Sequence, residues 1–338
     1  MSSSTLLAVA VLAATIASAA SAADHVLYVS NERSGDVSVI DTASGTVTAT
    51  IPVGKRPRGI HCSPDGKQVF VALSGSPRGG PGVDRDRATA DKAADGIGVI
   101  DRAEQKLVHK LAVGSDPEEF AFSHDGKLLV VANEDSATAS VFELASGKIA
   151  GEVKVSDEPE GVETNPKTGE IYVTCEEEGE VYVLDPERRT AISHFTVGAR
   201  PRSTAFLPDG SRAYVPSEGE ASIAVVDARK HMVAKTIKLE GTVMPMDGVV
   251  SPDGRELYVS TGRGNSIIVI DTARDEVIET IPVGERVWGI ALSPTGDKLY
   301  TANGASNDIS IVDVKARKEL TRIKVGDGPW AIAVAPKP

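Results

Sequence analysis

The sequence repeats one unit of about 42 residues from end to end. The clearest copy starts at Val283 and contains four short apolar or alternating runs bounded by turn residues, which is the period-2 pattern of β-strands. An acidic residue closes the third run of each copy: Asp41, Asp101, Glu143, Asp185, Asp227, Asp271 and Asp313. Their spacings are 60, 42, 42, 42, 44 and 42 residues. Seven four-strand units of this length predict an all-β fold, a seven-bladed β-propeller of four-stranded antiparallel blades.

The two ends of the repeat array are incomplete units. After residue 24 the chain supplies second, third and fourth strands without a first strand, and residues 330–335 supply a first strand alone. Pairing the N-terminal strands with the C-terminal strand would complete one blade and remove exposed sheet edges. We therefore expect one propeller domain over residues 24–338.

One repeat is longer than the others. The 60-residue interval exceeds the period by 18 residues, and the excess falls within residues 75–96, between a second and a third strand. Long loops on a rigid scaffold often act as lids or binding loops.

Residues 1–23 have the features of a secretory signal peptide. An apolar run from Thr5 to Ser18 precedes the small residues Ala20-Ser21-Ala22, which fit a cleavage site. We expect a periplasmic or secreted protein with no membrane span after cleavage. Two cysteines in an exported chain could pair, but Cys62 and Cys175 fall on strands two blades apart, so two free thiols are expected.

The net charge of −12 argues against nucleic acid as a partner, because a phosphate backbone would repel the protein. The six histidines fall within predicted strands or on the turns of the face opposite the expected mouth of the channel. That placement argues against haem and zinc as cofactors.

One position per repeat, at the start of the first strand, carries unusually varied side chains. These residues are Arg58, Glu118, Glu160, Arg202, Met246, Trp288 and Trp330, and proline precedes six of them. Since proline restricts the approach of the chain, we expect the seven side chains to surround the mouth of the central channel. Two interpretations stay open: the ring binds a ligand, or its arginines and glutamates pair and cap the channel.

If the ring binds a ligand, the largest contributions to the binding affinity should come from Arg58, Arg202, Trp288 and Trp330. Arginine recognises carboxylates in a bidentate manner and tryptophan offers a face for stacking, so an anionic aromatic molecule would use both.

A second set of carboxylates follows the second strands at matching positions: Glu32, Glu134, Glu176 and Glu218. Carboxylate oxygens are the ligands that hard divalent cations prefer, so a divalent cation is the cofactor that this set would suit. Equivalent positions on neighbouring blades can, however, be too far apart for one ion.

Several strings resemble the repeat of the YVTN β-propeller family. They are Tyr28-Val29-Ser30-Asn31, Val131-Ala132-Asn133, Tyr172-Val173-Thr174 and Tyr300-Thr301-Ala302-Asn303. The chain is also similar to the exported propellers associated with pyrroloquinoline-quinone-dependent catabolism. This resemblance implies the propeller fold and a place beside periplasmic alcohol-oxidising systems, but it specifies no chemistry.

Two functions are compatible with these features. The first is an exported, non-catalytic and monomeric propeller that binds a small molecule or a periplasmic protein partner at the channel mouth. The second is a metal-assisted lactone hydrolase or lyase that uses carboxylates on the same face.

Overall fold

Seven four-stranded antiparallel sheets make up the part of the chain that the structure describes. The computed structural model describes residues 25–77, 89–241 and 243–337. The predicted signal peptide and residues 78–88 of the predicted insertion lie outside the described residues. A search of the described residues finds no helix with the length and apolarity needed to cross a membrane.

Each blade contributes four strands, ordered from the channel outward. The first strands are β4 (Pro57–Cys62), β8 (Pro117–Phe122), β12 (Pro159–Thr164), β16 (Ala205–Phe206), β20 (Gly248–Val250), β24 (Val287–Leu292) and β28 (Pro329–Pro336). The second strands are β1 (His25–Asn31), β5 (Gln68–Leu73), β9 (Leu128–Asn133), β13 (Ile171–Cys175), β17 (Arg212–Ser217), β21 (Glu256–Ser260) and β25 (Lys298–Asn303).

The third strands are β2 (Asp36–Asp41), β6 (Gly96–Asp101), β10 (Thr138–Glu143), β14 (Glu180–Asp185), β18 (Ser222–Asp227), β22 (Ser266–Asp271) and β26 (Asp308–Asp313). The fourth strands are β3 (Thr46–Pro52), β7 (Lys106–Leu111), β11 (Lys148–Lys154), β15 (Thr190–Thr196), β19 (Met232–Lys238), β23 (Glu276–Pro282) and β27 (Lys318–Lys324). Single 3₁₀ turns follow two second strands, at Glu134–Ser136 and Glu218–Glu220.

The predicted ring closure is confirmed. Strand β28 pairs with β1 in antiparallel register, from Val26 opposite Ala335 to Val29 opposite Ile332. The ends of the chain therefore build one blade together, and the hydrophobic core continues around the ring without a gap. Core clusters join neighbouring sheets, as where Tyr28 packs with residues of β4 and β5.

Two first strands are shorter than the repeat predicts. Strand β16 begins at Ala205 and β20 at Gly248, whereas the sequence pattern placed their starts near Arg202 and Met246. The chain at these two residues still donates backbone hydrogen bonds to the neighbouring strand, at Pro216 and Ser260.

A Val-Gly pair follows the fourth strand of several blades, as at Val113-Gly114, Val283-Gly284 and Val325-Gly326, and the asparagine that ends the second strand of the next blade explains why it recurs. Asn303 donates hydrogen bonds from Nδ2 to Asp308 Oδ1 and Ser310 Oγ, both at 2.9 Å. Gly284, which follows the fourth strand of the preceding blade, packs directly on this asparagine. A Cβ atom at Gly284 would lie 2.3 Å from Asn303 Nδ2, and one at Gly114 would lie 2.2 Å from the side chain of Asn133. Glycine is therefore required by close packing between blades.

We expect Gly284→Ala to lower the free energy of unfolding by about 1–3 kcal/mol, because the added methyl group forces the bonded Asn303 side chain to move. Chemical denaturation measures the difference. Gly248→Ala is the matched control, since its Cβ would meet its nearest neighbour at an ordinary 3.4 Å. Equal stabilities of the two variants would contradict the packing explanation.

Candidate functional site

A β-bulge at the start of the first strands creates the site. In β4, β8, β12 and β24 the pairing with the second strand shifts register between the residue before the ring position and the second residue after the ring position. Because a bulge re-aims neighbouring side chains, the ring residue and the residue after it both face the channel. Glu118 with Glu119 is the example in β8; Met246 and Asp247 both line the cavity as well, although β20 begins only after them.

The ring separates two cavities. The mouth cavity has a volume of about 230 Å³ and the channel beneath it a volume of about 450 Å³. Five ring residues line both of them: Glu160, Arg202, Met246, Trp288 and Trp330. Arg58 lines the mouth cavity and Glu118 lines the channel, so the structure brings all seven predicted residues to one end of the channel.

A second circle of residues at the mouth was not anticipated from the sequence. The residue two places before the ring position has a left-handed backbone in six blades: Arg56, Asp116, Glu158, Arg200, Arg286 and Gly328. The φ of the five non-glycine residues lies between 43° and 54°. Such residues cost about 1 kcal/mol or more each and cluster at functional sites. Their repeated, polar character is the signal that could have revealed them.

Arg58 is buried in an ion-pair network. Its guanidinium contacts the carboxylate of Glu118, and its Nε lies 3.2 Å from Glu32 Oε1. Arg56 Nε lies at the same distance from that oxygen. Arg58 is therefore paired with the glutamate that the sequence placed beside it in the ring.

Arg202 is the centre of a larger network. Its guanidinium lies 2.9 Å from Glu160 and 2.6 Å from Glu218, and it also contacts Glu176. Burial alone would lower the pKa of Arg202, but the surrounding glutamates outweigh burial and raise it. The sequence left open whether the ring binds a ligand or whether its arginines and glutamates pair with one another. In the structure the arginines and glutamates are paired. Contacts to a ligand would have to come mainly from other side chains around the mouth.

Both tryptophans of the protein are part of a four-layer stack. Trp288 and Trp330 stack with ring centroids 4.2 Å apart and planes 22° apart. The guanidinium of Arg58 lies 4.4 Å from the Trp330 ring, and that of Arg286 lies 4.8 Å from the Trp288 ring. Each indole is covered on both faces, so an aromatic ligand would stack outside Arg286 or displace it.

The mouth cavity is positively charged although the protein is acidic. Six arginines and three glutamates line it: Arg33, Arg58, Arg200, Arg202, Arg263 and Arg286, with Glu32, Glu160 and Glu218. Arg263 and Arg286 are exposed and form no ion pair within residues 25–77, 89–241 and 243–337. Burial and the charge of Arg263 lower the pKa of Arg286. These two arginines can bind an anion without breaking an existing pair.

The four carboxylates expected to suit a metal do not converge. Glu32, Glu176 and Glu218 each contact arginines. Glu134 instead lies near Asp116 and Glu118, with ligand atoms within 4.8 Å of one another. The four residues sit on four different blades, and this spread is why the equivalent positions do not form one site.

The channel contains a group of titratable side chains that the sequence argument missed. His61 Nε2 lies 2.8 Å from Glu119 Oε1, and Glu163 and Asp247 line the same cavity. Burial raises the pKa of Glu163 to about 7 and that of Asp247 to about 6. His61 lies within a strand, as expected, but the strand lines the channel. All four residues lie at fixed distances after ring positions: Glu119 and Asp247 are one residue after a ring position, and His61 and Glu163 are three residues after one. This spacing is the sequence signal that could have revealed them.

The two cysteines are unpaired, in agreement with the expectation. Burial raises the pKa of Cys62 to about 11 and that of Cys175 to about 12. A raised pKa keeps each thiol protonated at neutral pH. Neither cysteine is therefore a good nucleophile, because the reactive form is the thiolate.

Other proteins share this fold at low sequence identity. A solved structure of Kuenenia stuttgartiensis hydrazine synthase superimposes with a TM-score of 0.73 and 19% identity, covering 86% of this chain and 92% of that one. A functionally unknown protein from Desulfotomaculum acetoxidans superimposes with a TM-score of 0.74 and 15% identity, covering 93% of this chain and 99% of that one. These likenesses show the fold alone.

Sequence comparison gives a curated relative and a family. Antigen Lp49 of Leptospira interrogans is 23% identical over 198 residues, which cover 54% of this chain and 41% of Lp49. The chain thus matches less than half of that protein's length. The family model described as "Lactonase, 7-bladed beta-propeller" matches residues 18–164 and 161–327, which is most of the chain. With its seven blades, this chain belongs to the lactonase family of seven-bladed β-propellers.

Proposed function

We propose that this protein is an exported propeller that binds a small organic anion at the mouth cavity. The observation that carries the proposal is the positive charge of Arg263 and Arg286, which form no ion pair within the described residues and line the mouth cavity of a protein of net charge −12. Arginine is suited to carboxylate and phosphate groups because its planar donors bind them in a bidentate manner.

The arginines of the mouth cavity fall into two groups, one structural and one that contacts the ligand. Arg58 and Arg202 hold the ring together through buried glutamates. Arg263 and Arg286 lie at the exposed edge and contact the anion, and the guanidinium of Arg286 is held there by its stacking on the Trp288 ring. The resemblance noted in the sequence favours an accessory role beside periplasmic quinoprotein oxidation, in which the anion is an aromatic polycarboxylate.

The test uses pyrroloquinoline quinone as an aromatic polycarboxylate and benzoate as a simpler probe. Calorimetric titration is expected to give one site per chain, and Arg263→Ala/Arg286→Ala is expected to weaken binding by about 2 kcal/mol or more, a loss of roughly 30-fold. Arg255→Ala is the matched control, since its side chain is 85% exposed in a turn of the opposite face.

The stability of the double variant should stay close to that of the parent, because neither arginine belongs to the buried network. Unchanged affinity in the double variant would move the site away from the mouth. If neither pyrroloquinoline quinone nor benzoate binds the parent protein, the proposed function is wrong.

A second candidate is metal-assisted opening of a lactone. Asp116, Glu118 and Glu134 favour it, since their carboxylate oxygens lie within 4.8 Å of one another at the mouth. Arg58 contacts Glu118 and Arg56 lies 3.7 Å from Asp116, and both positive charges compete with a cation. Elemental analysis of protein purified without chelators separates the two candidates. A stoichiometric divalent metal that is lost in Glu118→Gln would favour lactone hydrolysis over anion binding.

A further inference from the structure

The channel carries a charge opposite to that of the mouth cavity. The carboxylates of Glu118 and Glu160, at the mouth end, are neutralised by Arg58 and Arg202. Deeper in the channel, the carboxylate of Glu119 is bonded to His61. Glu163 and Asp247 line the same cavity, and neither forms an ion pair with any residue in the described ranges.

We propose that the channel holds a second binding site, for a small organic cation with N–H donors such as a primary ammonium, between Glu163, Asp247 and the His61–Glu119 pair. Four different blades contribute these side chains, so the arrangement is a product of ring closure. Carboxylates are the acceptors that an ammonium group requires.

A buried hydroxyl in the same cavity supports a ligand there independently of the carboxylates. Thr204 lines the channel and is only 6% exposed. Its Oγ1 has no hydrogen-bond partner among the residues that the structure describes. A buried polar atom without a partner is costly, and a ligand in the channel could supply one.

The shape of the channel favours an organic ammonium over a metal ion. Its volume of about 450 Å³ exceeds what one ion needs, and its walls include apolar side chains such as Ile60, Val162 and Ile290. Within the described residues, acidic and histidine side chains come close enough to share a metal only at Asp116, Glu118 and Glu134. An alkyl chain would contact the walls while the ammonium group bridges acceptors that are further apart.

The electrostatics of the channel predict how binding depends on pH. Burial raises the pKa of Glu163 to about 7 and that of Asp247 to about 6. His61, Glu119 and the two neutralised ring glutamates face the same space, with Arg202 at its upper end. A bound cation stabilises the ionised carboxylates, so binding below pH 7 releases protons and affinity increases from pH 6 to pH 8.

The experiment titrates the protein with n-butylammonium, n-butanol and calcium at pH 6 and pH 8. We expect n-butylammonium alone to bind, at one site with a dissociation constant of about 1 mM or lower at pH 8. Affinity should be lower at pH 6, and both Glu163→Gln and Asp247→Asn should weaken binding at least about tenfold. Glu187→Gln, which changes an exposed turn residue, is the matched control.

Three results would overturn the proposal: no binding of n-butylammonium, binding of calcium alone, or equal affinity in Glu163→Gln and the parent protein. The Arg263→Ala/Arg286→Ala variant separates this site from the mouth cavity. It should retain n-butylammonium binding, because neither arginine lines the channel. The anion and cation sites can therefore fail or succeed independently.

Discussion

Arg202→Ala is expected to lower the free energy of unfolding by about 3–5 kcal/mol. The arginine is 11% exposed and contacts Glu160, Glu176 and Glu218, whose side chains are 13%, 4% and 8% exposed. Its removal leaves three buried carboxylates with Arg200 as the basic residue that still contacts two of them. Buried charges that lose their partner are far more costly than exposed ones.

Urea denaturation at pH 7.5 measures this loss. Arg188→Ala is the control, because its pair with Asp185 spans 3.4 Å at an arginine that is 79% exposed, and it should change stability by less than about 1 kcal/mol. The loss of unfolding free energy in Arg202→Ala should be smaller at pH 5, where the glutamates that have lost their partner can take up protons. A loss below about 1 kcal/mol at pH 7.5 would show that the network is solvated and weak.

Glu163→Gln is expected to make the protein more stable than the parent at pH 8 by about 2–3 kcal/mol. Burial raises the pKa of Glu163 to about 7, so the native state holds a proton that the unfolded chain releases at lower pH. Stability is therefore lost as pH rises from about 4.5 through 7. Asp247 acts in the same direction through a pKa of about 6.

His61 adds to this trend, because Glu119 and nearby acids raise its pKa against the effect of burial. Its contribution is present at low pH and is lost as pH rises. Turn aspartates such as Asp125, whose pKa is lowered to about 2, act oppositely but only in strong acid. The parent should thus be most stable near pH 5, and the curves of parent and Glu163→Gln should meet there. Curves that remain parallel from pH 5 to pH 8 would contradict the buried state of Glu163.

Much of the architecture could be predicted because the repeat is local and periodic. Each blade needs its own turns and alternating strands, so the evenly spaced acids revealed the number of blades. The turn role is visible at Asp41, whose carboxylate accepts hydrogen bonds from the N–H groups of Ala43 and Ser44. Ring closure followed from the missing strand at each end, since an open ring would leave a sheet edge exposed.

The candidate site could be predicted only in part. Counting along the repeat located the seven ring residues, because a position that varies among otherwise similar units stands out. It did not show that Arg58 and Arg202 are already paired with buried glutamates. Pairing depends on which side chains meet across blades about 40 residues apart in sequence, and spacing along the chain does not encode that distance.

The sequence by itself determined the fold class, the number of blades and the residues that surround the mouth, because short-range pattern and repetition specify them. The tertiary structure decided which neighbours those residues have. The bulge that turns Glu119 into the channel breaks the period-2 rule, and the stack of Arg58, Trp330, Trp288 and Arg286 forms only when the ring closes. A cationic mouth above an acidic channel arises in the same way, since charges scattered along the chain are sorted by the closed ring of blades.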